Sequence, residues 1–528
     1  MGRRGVFLKN AAVLTAATLL LRLIGMAFRI VISNRLGAEG MGLYQIVLSV
    51  YLLASTLASA GLSVAVTRLV SEEQIATGRA GLQKLLRFCM AVSASMGAAA
   101  AAALYAAAGW LAAYWVGEPA AAASLRVLSL SLPFMAVSAS LRGYFTARRR
   151  IGFTSLSQLL EQGVKFAACM GAIALWGVQN AAFGCFLVMA ADTVSEWFSC
   201  AFQYIGYRAD SRRLPVQGRP LPQQPPLAAR LAEIVLPVAG VRIIGSALYT
   251  LENTLVPNLL QRFLLQSQPQ TQARGLALAQ WGRLKGMGIP VLMFPSTLLA
   301  AFVLLLVPEL SEYRARQAGQ QAAGVVSLAL HVTLAASIGI AAGLYLLAEE
   351  ICGVVYPGQG IGFYVRVLAP LTPFMYLENV AEGMLKGLGE QRAALRYSLV
   401  NVAVRLVLIA LLVPRAGMTG FLWMMLADNI ITSLLHAGRV LTALRLRPDW
   451  GRWVVRPLLC AAAAGALGTL LRRQLTLWGW RQLWVVLGVG GVMALCYAAL
   501  LFCLRSFTAA DVRALLGVRT GRSGTKEK

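Results

Sequence analysis

Apolar residues fill most of this chain in runs long enough to cross a membrane, and short polar stretches separate the runs. A transmembrane helix needs about 20 mainly apolar residues, and apolar runs of this length indicate helices rather than strands. The predicted spans lie at residues 10–33, 41–64, 86–115, 120–141, 154–176, 181–205, 231–258, 276–307, 321–348, 364–385, 396–413, 417–438, 454–471 and 482–504. We therefore predict an all-α polytopic membrane protein with about 14 transmembrane helices.

The composition agrees with this prediction. The 528 residues are 58% hydrophobic and 13% charged, whereas soluble domains average about 45–50% and about 25%. About 14 helices of about 20 residues use about 280 residues, which is close to the whole hydrophobic content. No room is left for a sizeable soluble domain.

The net charge is +27, from 48 Lys+Arg and 21 Asp+Glu. In a soluble protein this excess would favour nucleic-acid binding, but here the basic clusters fall in alternate loops. They lie at 148–150, 208–219 and 439–456. Cytoplasmic loops of membrane proteins carry such excess positive charge, with recognition of anionic lipid as the alternative. We therefore predict a multi-pass cell-membrane protein with both termini cytoplasmic and no nucleic-acid partner.

The longest polar connector is rich in proline, glutamine and arginine and has the sequence RADSRRLPVQGRPLPQQPP (208–226). This composition is typical of a linker. The predicted organisation is an N-terminal six-helix lobe at 1–207, a cytoplasmic linker at 208–230, a C-terminal six-helix lobe at 231–447, two additional helices at 448–507 and a basic cytoplasmic tail at 508–528.

The two lobes repeat each other in sequence. RLIG at 22–25 matches RIIG at 242–245, PFM at 133–135 matches PFM at 373–375, and Lys165 matches Arg405 at the same offset of 240 residues. A third offset, 236 residues, pairs Asp192 with Asp428. Since each copy holds six spans, the copies run in the same direction across the membrane, which predicts a parallel repeat.

Ionisable side chains within the spans form the candidate site, because they are costly in a bilayer and usually face a bundle interior or a water-filled cavity. Basic residues suit an anionic head group, since the arginine fork matches phosphate; the substrate-binding candidates are Arg22, Arg29, Lys165, Arg242 and Arg405. The candidates for ion coupling or gating are Glu161, Asp192, Glu252, Glu378, Glu382 and Asp428. Structural pairing or snorkelling is the alternative role for these residues, and Glu161 and Lys165 are spaced to pair on one helix face.

Glycine and proline interrupt the eighth span in the segment LKGMGIPVLMFPS. Proline removes an intrahelical hydrogen bond and kinks the helix. A hinge is therefore predicted at Gly286, Gly288, Pro290 and Pro295, with an ordinary packing kink as the alternative.

Several other kinds of chemistry lack a sequence signal. His331 and His436 stand alone in their spans and the 8 cysteines lack CxxC spacing, so no metal site is predicted. No Walker A motif is present, and no cofactor is expected. The outer loops carry no cluster of acids and histidines, which disfavours an enzyme that transfers or polymerises sugars at the membrane.

Long segments of the chain resemble the stage V sporulation protein B group of polysaccharide-biosynthesis transporters, within the multidrug/oligosaccharidyl-lipid/polysaccharide exporter superfamily. The segments are FLKNAAVLTAATLLLRLIGMAFRIVISNRLGAEGMGLYQ, RGYFTARRRIGFTSLSQLLEQ, LENTLVPNLL, GMGIPVLMFPSTLLAAFVLLLVPELSE and LKGLGEQ. The resemblance covers nearly the whole chain. It implies two six-helix lobes with two extra helices, alternating access, and no enzymatic activity.

The same resemblance implies a flippase or exporter of lipid-linked oligosaccharide or peptidoglycan precursors across the bacterial cytoplasmic membrane, for cell-wall or spore-cortex synthesis. Its partners would be a lipid-linked sugar diphosphate, membrane lipids and a coupling ion.

Two branches of the superfamily differ in their charged residues. The peptidoglycan-lipid flippases have an arginine-bearing first helix with an intervening glycine, which Arg22, Gly25 and Arg29 match. Here no aspartate follows Arg29, and the second span has no arginine. The drug-exporting branch places an acid on helix one and often on helix seven; helix one has none, whereas helix seven carries Glu252. An ion-coupled multidrug exporter is therefore the alternative function.

Overall fold

The computed structural model describes residues 3–59, 61–76, 78–212, 226–508 and 511, and helices are the only regular secondary structure in those residues. The α-helices are α1 (Arg3–Ser59), α2 (Leu62–Ala76), α3 (Gly78–Trp110), α4 (Ala121–Ser129), α5 (Leu132–Ala147), α6 (Ile151–Trp176), α7 (Ala181–Ser211), α8 (Leu227–Leu264), α9 (Gln270–Trp281), α10 (Ile289–Met293), α11 (Ser296–Ala315), α12 (Gly319–Leu346), α13 (Ala348–Val355), α14 (Gly362–Leu368), α15 (Thr372–Gly387), α16 (Gln391–Ala443), α17 (Arg456–Leu477) and α18 (Gln482–Cys503). Most of the predicted linker and nearly all of the predicted tail lie outside the described residues.

Within the described ranges, 9 helices are long and apolar enough to cross a membrane, or 10 if the bent pair α4 and α5 forms one span. The long helix α16 contains two predicted spans, and α1 contains one predicted span and most of a second. Each of them bends at a glycine with positive φ, at Gly37 (70°) and Gly417 (57°), a conformation that favours glycine because it has no Cβ. The all-α polytopic fold is confirmed, and the count of 14 stays a prediction.

The fourth and tenth predicted spans break at matching places. Pro133 lies in the first turn of α5, and Pro373 lies in the first turn of α15. Proline suits the first turn because the donor it lacks would have no helical partner there. α4 and α5 bend by 43°, and in the second copy a 3₁₀ turn at Ala369–Leu371 precedes α15. The sequence repeat is thus accompanied by a repeat of local backbone structure.

A close helix contact also recurs at the offset of 240 residues. A Cβ atom placed on Gly143 would lie 2.6 Å from the carbonyl oxygen of Ser63, and one placed on Gly383 would lie 2.3 Å from a side-chain carbon of Val303. The partners are 80 residues apart in both copies. Both contacts require glycine, since a side chain there would overlap the neighbouring helix.

The chain forms two compact units, Met1–Met287 with Val413–Met418, and Gly288–Leu412 with Thr419–Lys528. The first has an apolar core in which residues of α2, α5 and α8 meet, among them Leu69, Tyr144 and Val235. The second unit has an apolar core in which residues of α17 and α18, such as Leu475 and Val489, pack with Leu347. The units therefore divide at a different place from the lobes predicted from the repeat, whose boundaries stay a prediction.

Within the first unit, the backbones of α1 and α9 approach each other closely. A Cβ on Gly42 would lie 2.0 Å from the carbonyl oxygen of Leu278, and a Cβ on Gly282 would lie 1.9 Å from that of Ala38. Small residues permit such approaches between membrane helices. Any side chain larger than that of glycine at Gly42 or Gly282 would therefore overlap the backbone of the neighbouring helix.

We predict that Gly282→Ala destabilises the protein by about 1–3 kcal/mol, because the added methyl group must push two backbones apart. Thermal unfolding in detergent measures the effect. Gly171→Ala is the matched control, since nothing lies within 4 Å of the added methyl group there and alanine is the better helix former. Equal melting temperatures for Gly282→Ala and wild type would contradict the close contact.

Candidate functional site

Each compact unit contains one ion pair between candidate residues, and the sequence repeat relates the two pairs to each other. In the first unit, the Nζ of Lys165 on α6 pairs with Asp192 on α7, and both side chains are largely buried. In the second unit, the Nε of Arg405 donates to the Oδ2 of Asp428 at 2.9 Å, between the two halves of α16. The basic members match at an offset of 240 residues and the acidic members at 236. The structure thus places the two sets of matches in equivalent pairs.

The connecting loops explain why the two offsets differ by four residues. Gly177 and Gly417, 240 residues apart, both have positive φ and both follow the helix that carries the basic member of the pair. In the first copy Asn180 then caps α7, its side chain accepting a hydrogen bond from the backbone N–H of Phe183 at 2.8 Å. In the second copy the helix resumes directly after Gly417. The second copy is therefore four residues shorter in the connection between the two helical segments, and the ion pair is present in both copies.

A carboxylate cluster surrounds the pair in the first unit. Ser199 donates to the Oε2 of Glu161 at 2.7 Å, and Gln203 donates to the Oγ of Ser199 at 3.0 Å. The spacing on α6 predicts a Glu161–Lys165 pair, but the structure pairs Lys165 with Asp192 instead. The reason is that α7 packs along α6 and brings a second carboxylate to the lysine.

Glu196 is a member of this cluster that the sequence analysis missed. It lies one helical turn after Asp192 on α7, and its charge interacts with the charges of Glu161, Arg142, Asp192 and Lys165. Its Oε2 is buried and makes no hydrogen bond to any residue that the structure describes. The i, i+4 spacing to Asp192 inside an apolar run is the signal that could have identified it.

The second unit carries a different set of acids around its pair. Glu378 is half-buried on α15, and its charge interacts with the charges of Arg405, Asp428 and Glu382. Glu382 pairs with Lys386 one turn along the same helix, at 2.7 Å. Each cluster therefore has its own ion pair at an equivalent position of the repeat, and the acids around the two pairs differ.

The carboxylate of Glu252 on α8 forms an ion pair with Lys285. The Nζ of Lys285 lies 3.0 Å from its Oε1, and the Glu252 side chain is only 7% exposed. The ammonium also lies 5.9 Å and 5.6 Å from the ring centroids of Tyr249 and Trp281, within the range of cation–π attraction. Lys285 was not among the predicted site residues, and it neutralises the acid that supports the alternative function.

Three predicted cations have no counter-charge in the part of the chain that the structure describes. Arg22 and Arg242 are exposed on α1 and α8, and Arg29 is half-buried on α1. None of them forms an ion pair with a described residue. Of the five basic candidates, two are therefore paired with an aspartate, and three form no ion pair with a described residue.

The predicted hinge residues lie where helical geometry is irregular. Gly286 and Gly288 belong to a π-helical segment, Gly282–Gly288. Pro290 lies in the first turn of α10, and Pro295 immediately precedes α11. Segments of π-helix mark local departures from regular helical hydrogen bonding, so the eighth predicted span is several short helices rather than one rigid rod. The hinge itself stays a prediction.

Neither histidine belongs to a metal-ligand cluster in the described ranges, where no three His, Cys, Asp or Glu side chains could hold an ion together. His331 lies 3.2 Å from the Oγ of Ser506 and stacks on Phe507, with the two ring centroids 4.3 Å apart. His436 contacts the backbone oxygen of Thr432, one turn earlier on its own helix, at 2.9 Å. Both histidines therefore have packing contacts that explain their burial.

Comparison with known proteins found a family model and a bacterial relative that this chain resembles. The family model described as "Polysaccharide biosynthesis protein" matches residues 7–215. Stage V sporulation protein B of Bacillus subtilis (strain 168) is 26% identical over 443 residues, which cover 82% of this chain and 83% of that protein. The resemblance read from the sequence is confirmed.

Two further similarities concern lipid II flippases. The protein called lipid II flippase MurJ in Bacillus subtilis (strain 168) is 28% identical over 173 residues, covering 31% of this chain and 32% of that one. The solved structure "Lipid II flippase MurJ, inward closed conformation" superposes with a TM-score of 0.68 at 13% identity, covering 95% of this chain and 99% of that one. The structural similarity supports the same fold over almost the entire molecule.

We predict that Asp192→Leu lowers the free energy of unfolding by about 3 kcal/mol, because it leaves Lys165 buried without its counter-charge. The double variant Lys165→Leu/Asp192→Leu should regain most of that loss. Unfolding titrations in mixed micelles measure these two variants and the single variant Lys165→Leu. Glu312→Gln is the control, since it removes one member of an exposed surface pair with Arg316 and such pairs contribute little. Additive effects of the two single substitutions would contradict a direct pair.

Proposed function

We propose that this protein is an alternating-access flippase that exports lipid-linked oligosaccharide or peptidoglycan precursors across the bacterial cytoplasmic membrane, for cell-wall or spore-cortex synthesis. The observation that carries the proposal is the set of in-span arginines without an ion pair in the described structure, Arg22, Arg29 and Arg242. A cation inside a bilayer is costly unless it is paired or hydrated. A sugar-linked diphosphate supplies the missing charge and accepts bidentate hydrogen bonds from arginine.

The similarity to a relative named as a lipid II flippase supports the same substrate class. A flippase moves its substrate without making or breaking a covalent bond. The protein is therefore a transporter and not an enzyme in this proposal, and its partners are the lipid-linked diphosphate and the surrounding lipids.

The observed ion pairs support different proposed roles for the five basic candidates. Arg22, Arg29 and Arg242 bind the diphosphate. Lys165 and Arg405 act as positioning residues, because the pair of Lys165 with Asp192 joins α6 to α7 and the pair of Arg405 with Asp428 joins the two halves of α16. The segment Gly282–Gly288 with Pro290 and Pro295 supplies the bending that alternating access requires.

The membrane potential assists export in this scheme. With both termini cytoplasmic, as the basic loops predict, the head group moves from the inside to the outside. Each negative charge that crosses gains about 2.3 kcal/mol per 100 mV of inside-negative potential, and a diphosphate carries about two. No ATP is required.

The alternative, an ion-coupled multidrug exporter, would depend on Glu252 with Glu378 or Glu382. An acid that exchanges cationic substrates must be accessible, whereas Glu252 is buried against Lys285 and Glu382 is paired with Lys386. These contacts favour the flippase. Cationic dye efflux that Glu252→Gln abolishes would reverse this preference.

We predict that Arg22→Ala and Arg242→Ala each slow translocation about tenfold or more, since a hydrogen bond to a charged group contributes about 1.5–3 kcal/mol. The measurement is the transfer of a fluorescent lipid-linked precursor between the leaflets of proteoliposomes under an imposed potential. Arg68→Ala is the control, because Arg68 is an exposed arginine outside the predicted spans that pairs with Glu72. Wild-type rates in the Arg22→Ala/Arg242→Ala double variant would refute the proposed binding role.

A further inference from the structure

An apolar groove runs along α3 in the first compact unit. Its volume is about 520 Å³. α3 lines it mainly with alanines, among them Ala103 and Ala107, and the second half of α1 lines it with larger side chains such as Leu53. Trp115, which follows α3, and Thr250 of α8 complete the lining. All of these residues belong to the first unit, so the groove lies within one compact body.

The groove is long and narrow. It follows α3 from Met96 to Leu111, a distance of about 23 Å at the rise of an α-helix. Dividing the volume by this length gives a cross-section of about 23 Å². A membrane helix with its side chains is about 10–12 Å across, which is too wide for this space. A single extended hydrocarbon chain has the right shape and thickness.

The polar side chains that line the groove already have partners in the protein. The indole N–H of Trp115 donates to the Oγ1 of Thr254 at 2.7 Å, and the hydroxyl of Thr250 donates to the backbone oxygen of Ser49 at 2.8 Å. An apolar cavity without polar partners stays dry. Since α1, α3 and α8 all have the length and composition of membrane-spanning helices, the hydrocarbon chains of the bilayer are the molecules that reach this groove.

Aromatic side chains surround one end of the groove. With both termini cytoplasmic, as the basic loops predict, α3 runs outward and this end is the outer one. Trp110 and Tyr114 are exposed there, and the ring centroid of Trp110 lies 6.2 Å from that of Tyr114 and 6.5 Å from that of Trp115. Tryptophan and tyrosine are enriched at the depth of the lipid head groups. The groove therefore opens where an outer-leaflet lipid has its head group.

A buried arginine fixes the same end. Arg274 is only 8% exposed. Its Nη1 donates to the Oδ1 of Asn258 at 3.0 Å, and the Nδ2 of Asn258 donates to the backbone oxygen of Trp115 at 3.1 Å. Its Nη2 donates to the backbone oxygen of Val116. These contacts join the π-helical segment Leu111–Val116 to α8 and hold the outer end of the groove in shape.

An exposed arginine adds positive charge to this end. Thr254, Asn258 and Arg262 follow each other at intervals of four residues on α8, so they lie on one helix face. The first two are bonded to Trp115, and Arg262 is exposed one turn further out. Arg262 forms no ion pair with a described residue. The acids Glu39 and Glu118 line a separate pocket.

We propose that the groove binds an anionic phospholipid of the outer leaflet, with one acyl chain along the alanines of α3 and the phosphate at Arg262. Arginine binds phosphate oxygens through two parallel hydrogen bonds, and an anionic head group has no choline to balance that phosphate. The chain fills the space beside α3 below the hydrogen bonds of Trp115, so the lipid stabilises the first unit. This proposal is independent of the flippase function, because it concerns a lipid that stays with the protein.

The first test counts bound lipid by native mass spectrometry on full-length protein in detergent. The protein is incubated with phosphatidylglycerol or phosphatidylcholine that carry the same acyl chains. Wild type is expected to retain one phosphatidylglycerol. Ala107→Phe and Ala103→Phe should each weaken its retention about tenfold or more, because the added ring takes the space of the chain. Ala102→Phe is the matched control, since Ala102 is an exposed neighbour on α3 that does not line the groove.

The second test addresses the head group. Arg262→Gln should lower the preference for phosphatidylglycerol over phosphatidylcholine about tenfold, the effect of one lost hydrogen bond to a charged group. Arg126→Gln is the control and should keep the wild-type preference. Arg126 is also exposed, but its guanidinium lies 5.6 Å from the ring centroid of Tyr105. Tyr105 and Ala107 are two residues apart and so point to different sides of α3.

The third test measures thermal unfolding with lipids of different chain length. A ligand that binds the folded state stabilises it, so long-chain phosphatidylglycerol should raise the melting temperature of wild type more than the dihexanoyl form does. Ala107→Phe and Ala103→Phe should lose this difference. Their melting temperatures without added lipid show whether each variant is folded, and one folded variant is enough for the comparison.

The outcomes decide the proposal without any transport measurement. Equal retention of the two phospholipids by wild type, or unchanged retention in a folded groove-filling variant, overturns the site. Retention of a polyprenyl-diphosphate lipid in place of phosphatidylglycerol, abolished by Ala107→Phe, would assign the groove to the tail of the cargo and overturn the phospholipid assignment. Selective retention that Ala107→Phe and Arg262→Gln both weaken supports the lipid site even if the flippase function fails.

Discussion

Charge compensation inside apolar helices is the constraint on which this structure depends. An ionised side chain in a bilayer must find a counter-charge, water or a ligand. Lys165, Arg405 and Lys285 each find a carboxylate within their own compact unit. These pairs hold neighbouring helices, or the two halves of one helix, against each other. Arg22, Arg29 and Arg242 form no ion pair with any residue that the structure describes, which is why we propose them as substrate-binding residues.

The two copies of the internal repeat both keep an ion pair at the equivalent position. Sequence matches identified which residues are related, and the structure shows that the related residues keep equivalent contacts. The prolines at 133 and 373 begin equivalent helices, and the glycines at 177 and 417 end the helices that carry the basic members of the ion pairs. A loop that differs in length between the copies changes the sequence offset without disturbing the pair. Packing between helices therefore tolerates changes in loops more readily than changes in charge.

The candidate site was only partly predictable from sequence. In-span charge was enough to identify Arg405 and Asp428 as important, because ionisable residues are rare in apolar runs. It was not enough to identify their partnership, since the two residues lie in different predicted spans. Local spacing favoured the wrong partner for Lys165, because i, i+4 geometry considers one helix and the true partner comes from the neighbouring one. Glu196 was missed for the same reason: its burial depends on helices far away in sequence.

The sequence by itself determined the all-α membrane architecture, the repeat and the set of charged residues inside the spans. These follow from the length of apolar runs and from residue identities, and both are local properties. Only the tertiary structure decided which charges pair with each other and which basic residues have no ion pair among the described residues. That division depends on distances between helices, and side-chain electrostatics in an apolar environment changes sharply over a few ångströms.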